Sequence, residues 1–359
     1  MAKQTIIPFG PQHPVLPEPV HLDLVLEDET VVQAIPSIGF VHRGLEKLVE
    51  KKEYTELMYV TERICGICAF GHNWGYCMAA EGLMKIEIPE RAEYLRTMWH
   101  EMSRVHSHLL WLGLLADAFG FESLFMHCWR VREQVLDLFE KTTGGRVIFS
   151  VCKVGGVHRD ISPEVLEEIA TTMERMKKEV KELTDVFVND VSVKNRTVGV
   201  GVVTKEQAID LCAVGPTARA SGVVQDLRLN GPGVYDKLDF EPIVEEAGDC
   251  YARAIVRVKE LYQAMDMVAE LCRIMPEGDI AVPVKGKPSG EFAARLEQPR
   301  GEAFYYLKGN DSKFLERMRI RTPTNINIPF LVQALAGCDL ADVPIIVLSI
   351  DPCISCTER

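Results

Sequence analysis

The sequence predicts a mainly α, α+β fold: a central long-helix bundle between an N-terminal β-hairpin region and a small C-terminal α/β region. Three observations carry this. Long middle stretches repeat apolar residues at steps of three and four. The flanking stretches instead alternate, or carry proline and glycine. The chain has 359 residues, 47% of them hydrophobic, which is enough to bury an extensive core. We divide it into an N-terminal α+β region (1–60), a helical bundle (61–284) and a C-terminal region (285–359), forming one integrated unit.

Pro8, Pro11, Pro14, Pro17 and Pro19 make the first stretch extended or turning. Val20–Leu26 and Thr30–Ile35, separated by Glu27-Asp28-Glu29, read as a hairpin. Gly44 to Val49 reads as helical. From Pro89 to about Phe119, Leu95, Met98, Trp99, Met102, Val105, Leu109 and Leu112 fall on one helix face. A second helix runs from about Phe121 to Glu140 and stops at Gly144-Gly145. A third begins at Ser162-Pro163, a hydroxyl cap followed by proline at the first helical position. Thr204-Lys205-Glu206-Gln207 fits a capping box for a short helix ending near Gly215-Pro216. Another long helix covers roughly Glu245 to Ile274, completing the bundle pattern. Beyond it, Lys285–Gly301 is rich in Gly, Pro and charge. Ala303–Leu307 is strand-like and turns at Gly309-Asn310-Asp311. An apolar run, Val343–Ile350, leads into Asp351-Pro352-Cys353.

The net charge of −12 argues against a nucleic-acid partner, because an acidic chain repels phosphate. High apolar content with modest charge argues against disorder. The longest strongly apolar stretch, Leu109–Ala116, ends at Asp117 and is too short for a membrane span. Met1-Ala2-Lys3-Gln4 does not open a signal peptide, so the chain is expected in the cytoplasm. Its 11 cysteines then read as thiols or metal ligands rather than disulfides.

Two C-x-x-C pairs stand out, Cys65-Gly66-Ile67-Cys68 and Cys353-Ile354-Ser355-Cys356. The spacing turns the chain so that two thiolates can share one metal. The pairs lie near opposite ends of the chain, whereas a zinc ribbon separates its pairs by roughly 15–20 residues. A clamp joining distant segments suggests a buried site built by the whole fold. Soft thiolates suit nickel, iron, copper(I) or zinc, so sulfur alone does not identify the metal.

The flanks are more specific. Arg63-Ile64-Cys65-Gly66-Ile67-Cys68-Ala69-Phe70-Gly71-His72 and Asp351-Pro352-Cys353-Ile354-Ser355-Cys356 together resemble the large, catalytic subunit of [NiFe] hydrogenases. Gly10-Pro11-Gln12-His13-Pro14 resembles a loop of the related quinone-site subunit of respiratory complex I. So do Gly215–Val223 and Asp226-Leu227-Arg228. The complex I subunit lacks the four cysteines, and uptake hydrogenase subunits are much longer. The whole chain therefore resembles the energy-converting, membrane-bound hydrogenases of the Ech and CO-induced type. Uptake-type relatives have a histidine after the last cysteine and a cleaved tail. Here Thr357-Glu358-Arg359 follows, and a removed tail and a branch without one both stay open.

The resemblance implies nickel held by Cys65, Cys68, Cys353 and Cys356, with Cys68 and Cys356 bridging to an iron that carries carbon monoxide and cyanide. It implies H2 split between the metals and the terminal thiolate of Cys353 as proton acceptor. Glu46, in Arg43-Gly44-Leu45-Glu46, would relay that proton if burial raises its pKa; alone, it reads as a solvated helix residue. His72, four residues after Cys68, would donate to a cysteine sulfur. Arg321 would lie beside the iron ligands, with Arg319 as its rival. The Gly10–Pro14 loop is expected to be structural, or to couple redox change to the membrane part.

Cys77, Cys128, Cys152, Cys212, Cys250, Cys272 and Cys338 read as small buried hydrophobes. His106 and His108 point in different directions on a helix, and so do His127 and Cys128.

The implied partners are an iron–sulfur small subunit with a proximal cluster, a ferredoxin-facing iron–sulfur subunit, and integral membrane ion-translocating subunits, with iron–sulfur clusters only in such partners. H2 and protons are the substrates. The chain would sit peripherally on the cytoplasmic side of the membrane. Two other readings remain: a complex I-like non-catalytic scaffold whose cysteines bind zinc or nothing, and a soluble cofactor-reducing hydrogenase.

Overall fold

The computed structural model describes residues 4–359, so Met1-Ala2-Lys3, on which the signal-peptide reading partly rests, lie outside the described residues. Three antiparallel strands open it: β1 (Gln4–Phe9), β2 (His21–Glu27) and β3 (Thr30–Ser37), in that order across the sheet. The expected hairpin is β2–β3. The added strand β1 pairs Phe9 with Leu22 and Gln4 with Glu27. Leu22, Leu24 and Leu26 are buried on one face, as strand alternation requires.

Five long helices follow: α1 (Ala69–Met84), α2 (Glu90–Ala118), α3 (Glu122–Thr143), α4 (Pro163–Asn189) and α5 (Cys250–Arg273). α2 is the central one. Nearly all of it is buried, and it packs against α1, α3 and α5. Gly144 ends α3 in the left-handed region. Thr204 and Gln207 form the reciprocal capping box. Ser162 precedes α4 but its side chain makes no cap bond, so proline alone marks that start. Gly215-Pro216 begins a short helix, Gly215–Arg219, rather than ending one, because Pro216 sits in its first turn.

A second antiparallel sheet holds β4 (Ser289–Gln298), β5 (Gly301–Asn310) and β6 (Leu315–Arg321). β4 occupies the stretch rich in glycine, proline and charge, to which the sequence assigned no element. Its outer half is exposed, which the polar composition reflects. This sheet covers α1. Last come α6 (Pro323–Leu335), α7 (Val343–Ser349) and a single turn, Ile354–Glu358.

The packing ties the ends together. The N-terminal sheet shares a core with α6 and α7, while β4–β6 join the main core of the bundle. No described helix is long and apolar enough to cross a membrane.

Candidate metal centre

Cys65 lies in the loop between the short helix Leu57–Glu62 and α1, and Cys68 is the residue before α1 begins. The turn aims the backbone N–H groups of Ile67 and Cys68 at the Cys65 sulfur, at 3.3 and 3.4 Å. Cys353 and Cys356 come from the Ile354–Glu358 turn. Asp351, at φ 55, redirects the chain into it. Thr324 Oγ1 accepts from Cys353 N at 3.1 Å, and Thr322 Oγ1 donates to the Cys356 carbonyl at 3.0 Å. Arg43 joins the two segments: its guanidinium donates to the carbonyls of Arg63, Ile64 and Ser355.

All four sulfurs are buried and lie within 4.8 Å of one another, with Cys353 Sγ 3.2 Å from Cys65 Sγ. Four acceptors this close resist ionising together. Hydrogen bonds from Cys353, Cys356 and Cys68 hold the Cys65 thiol well below its usual range. Burial pushes Cys356 up. A soft cation compensates such a set, so these donors fit a thiolate-bound metal.

Two cation or N–H donors touch the sulfurs from outside. Arg300 donates from Nη1 to Cys68 Sγ at 3.1 Å and from Nη2 to Asp351 Oδ1 at 2.7 Å. Its Nε donates to the Asp351 carbonyl at 2.9 Å. His72 Nε2 lies 3.3 Å from Cys356 Sγ, and its Nδ1 lies 2.8 Å from Tyr305 Oη. Burial lowers the His72 pKa to about 4, so the ring is neutral near pH 7. Tyr305 donating to Nδ1 leaves Nε2 as the donor to sulfur.

Arg321 and Arg319 are not at the sulfurs. Met318 and Ile320 face the core, and strand alternation turns Arg319 and Arg321 outward. Arg321 pairs with Glu302 at 2.7 Å, and Arg319 with Glu46 at 2.9 Å. Arg300, in the β4–β5 turn, holds the place expected for Arg321. Its signal was Pro299-Arg300-Gly301, which reads as an exposed turn but is buried.

Glu46 also departs from expectation. Burial alone would raise its pKa, but the Ile320 N–H, Arg319 and Arg359 lower it overall. Its Oε1 accepts from Ile320 N and Arg359 Nε, both at 3.0 Å. A carboxylate that does hold the second cysteine turn is Glu18, from the proline-rich stretch. It accepts from the backbone N–H groups of Ile354 and Ser355 and from the Ser355 hydroxyl. Glu18 shares with Cys353 a cavity of about 330 Å³ whose walls include Ile67, Leu110, Leu114 and Trp129.

His106 and His108 serve different partners, Arg132 at 2.8 Å and Glu260 at 3.0 Å. Of the seven isolated cysteines, Cys77, Cys128, Cys152, Cys250 and Cys272 are buried. Cys212 is exposed and Cys338 half-buried, so the expectation fails for these two: Cys212 follows the short helix Lys205–Asp210 and Cys338 follows α6, each just past a helix end.

The family description "Respiratory-chain NADH dehydrogenase, 49 Kd subunit" matches residues 118–285 and 281–359, and "Nickel-dependent hydrogenase" matches residues 43–117. The chain is 38% identical to membrane-bound hydrogenase subunit alpha of Pyrococcus furiosus, covering 98% of this chain and 87% of that protein. It is also 38% identical to the carbon monoxide-induced hydrogenase of Rhodospirillum rubrum, covering 98% and 99%. An NADH-quinone oxidoreductase subunit of Desulforamulus reducens is 36% identical, covering 97% and 96%. Among solved structures, a chain of an archaeal membrane-bound sulfane sulfur reductase superposes with a TM-score of 0.94 at 32% identity, covering 99% and 98%.

Proposed function

The chain belongs to the family that unites nickel-dependent hydrogenases with the 49 kDa subunit of respiratory NADH dehydrogenase, and on that premise we propose that it is the catalytic subunit of an energy-converting [NiFe] hydrogenase. The observation that carries this is the buried meeting of Cys65, Cys68, Cys353 and Cys356 within 4.8 Å. These four residues would hold nickel, with iron shared through Cys68 and Cys356. When bound, that centre would supply the reversible interconversion of H2 with protons and electrons.

The chain's own residues account for the rest. Cys353 Sγ, at the wall of the apolar cavity, holds the proton. Glu18, on the same wall, takes it onward, in place of Glu46. Arg300 and His72 neutralise or donate to the sulfurs of Cys68 and Cys356. The apolar side chains of Ile67, Leu110 and Leu114 favour H2 over water in the cavity.

The described residues hold no other cluster of metal-ligating cysteine, histidine or carboxylate groups, so electrons leave through iron–sulfur partner subunits, and from there to ferredoxin. Integral membrane partners would couple the reaction to ion translocation and hold the chain at the cytoplasmic face. Exposed Ile6, Ile35, Ile38 and Phe40 leave apolar surface for such partners.

A second reading has its own support. The 49 kDa description covers the larger part of the chain, which favours a non-catalytic scaffold. Infrared spectra of the purified complex separate the two. Bands from iron-bound carbon monoxide and cyanide, with about one nickel per chain, are expected for the hydrogenase. An intact, active complex without nickel would sink it.

A further inference from the structure

Both outer contacts to the sulfurs hang on one short segment, Glu297–Arg300, where β4 turns into β5. Arg300 itself reaches Cys68. Gln298 Nε2 donates to Tyr305 Oη at 3.0 Å, and of the two acceptors that hydroxyl can reach, His72 Nδ1 at 2.8 Å is nearer than the Gly71 carbonyl at 3.4 Å, so a tyrosine proton given to Nδ1 leaves His72 Nε2 as donor to Cys356. One segment thus sets the donor to the second cysteine of each motif.

Arg104 grips that segment from α2. Its Nη2 donates to the Glu297 carbonyl at 2.9 Å and its Nη1 to the Gln298 carbonyl at 3.4 Å. His100 Nε2, one helical turn earlier, lies 2.8 Å from the same Glu297 carbonyl. Arg104 is fully buried and cannot drift, because Glu101 Oε2 accepts from its Nε at 2.9 Å. Tyr235 Oη donates to the other Glu101 oxygen at 2.6 Å. A planar fork reaching two successive carbonyls fixes both the height and the tilt of the turn, which a lysine ammonium cannot do.

The surroundings leave the segment little freedom. A Cβ at Gly75 would lie 2.2 Å from the Tyr305 ring. A Cβ at Gly215 (φ 69) would lie 2.4 Å from the Arg300 carbonyl oxygen. The turn fits between α1 and the Gly215–Arg219 helix in one position.

We propose that Arg104 is a positioning residue for the metal centre: it sets the Glu297–Arg300 turn, and through it the Arg300–Cys68 and Gln298–Tyr305–His72–Cys356 contacts. This rests on the hydrogenase reading for its consequence, but the geometry stands on the four sulfurs alone.

The test compares Arg104→Lys with Arg96→Lys in the whole complex. Arg96 is an equally buried arginine bound to Glu81 and to the carbonyls of Lys153 and Gly156, away from the turn. Both variants are expected to lower the melting temperature. Only Arg104→Lys should move the carbon monoxide and cyanide stretching bands, with nickel content kept. Unmoved bands in a folded, nickel-loaded Arg104→Lys would overturn the proposal.

If that variant does not accumulate, Glu101→Gln removes the charge that anchors Arg104 Nε, and unmoved bands there would overturn the proposal equally. If the unaltered complex shows no such bands, the hydrogenase reading has failed, and cobalt(II) becomes the probe. Its sulfur-to-cobalt charge-transfer band should shift in Arg104→Lys, or its affinity fall about 10-fold or more, as outer partners of metal ligands typically produce. Cobalt binding identical to the unaltered chain would overturn the positioning role independently.

Discussion

Arg300 donates to Cys68 Sγ at 3.1 Å while the same guanidinium holds Asp351, two residues before Cys353. One side chain therefore binds both cysteine segments. Arg300→Lys cannot make both contacts, since an ammonium lacks the fork. We expect turnover to fall roughly 10–100-fold with nickel retained. Viologen-linked H2 oxidation alongside metal analysis checks this, and unchanged turnover would remove Arg300 from the site's chemistry.

Glu18 and Glu46 make opposite predictions. Glu18→Gln should slow H2/D2O exchange about 100-fold or more, as loss of a proton-transfer group does. Glu46→Gln should cost exchange little, because Glu46 is tied to Arg319, Arg359 and the Ile320 N–H. A large loss in Glu46→Gln with little in Glu18→Gln would return the relay to Glu46.

Cys353→Ala should abolish exchange, and its nickel content should drop as well, since a ligand and the proton acceptor go together. Activity surviving this change would exclude Cys353 from both roles.

Glu297 gives a pH dependence away from the sulfurs. Burial first, then the Asp226 charge, raise its pKa from 4.5 to about 7, against the pull of Arg219 and Arg228. Glu101, Arg104, Glu260 and the neutral rings of His100 and His108 complete the buried set around it. A pKa raised on folding means stability that is full below 4.5 and lost as pH rises through about 7. Glu297→Gln keeps the backbone carbonyl and removes the titration. Its melting temperature should gain on the unaltered chain as pH goes from 5 to 8. A constant difference across that range would show Glu297 does not titrate there.

Gly75→Ala should destabilise the protein by about 1–3 kcal/mol, as overpacking does, because its Cβ would fall 2.2 Å from the Tyr305 ring. Chemical denaturation measures it. A neutral effect would mean Tyr305 has room to move, and would weaken the case for a fixed turn.

Much of this was legible in the residues. The helix stripe from Leu95 to Leu112 gave α2 nearly to its ends, because one buried face imposes its period on the sequence. The two C-x-x-C pairs announced the sulfurs, because short-range spacing is a local property. Arg300 was illegible: a charged residue between proline and glycine reads as a solvated turn, and only the tertiary fold shows it buried against Asp351. Arg321 was what the family resemblance implied, with Arg319 as its rival. The parity that turns it outward depends on which face of β6 meets the core. Glu18 was hidden for a similar reason, since its partners Ile354 and Ser355 lie at the other end of the chain. β4 was lost in a stretch whose exposed half has a loop's composition.

Half of the sulfur donors ride on a single helical turn, Ile354–Glu358, secured by Glu18, Arg43 and Thr324 rather than by a long helix. The other half is rooted at the start of α1, deep in the bundle. The two halves therefore differ in how readily they come apart. Local opening of the turn breaks its contacts to Glu18, His42, Arg43, Thr322 and Thr324 but none within the long helices. The turn carrying Cys353 and Cys356 is therefore the half of the site expected to open first in denaturant.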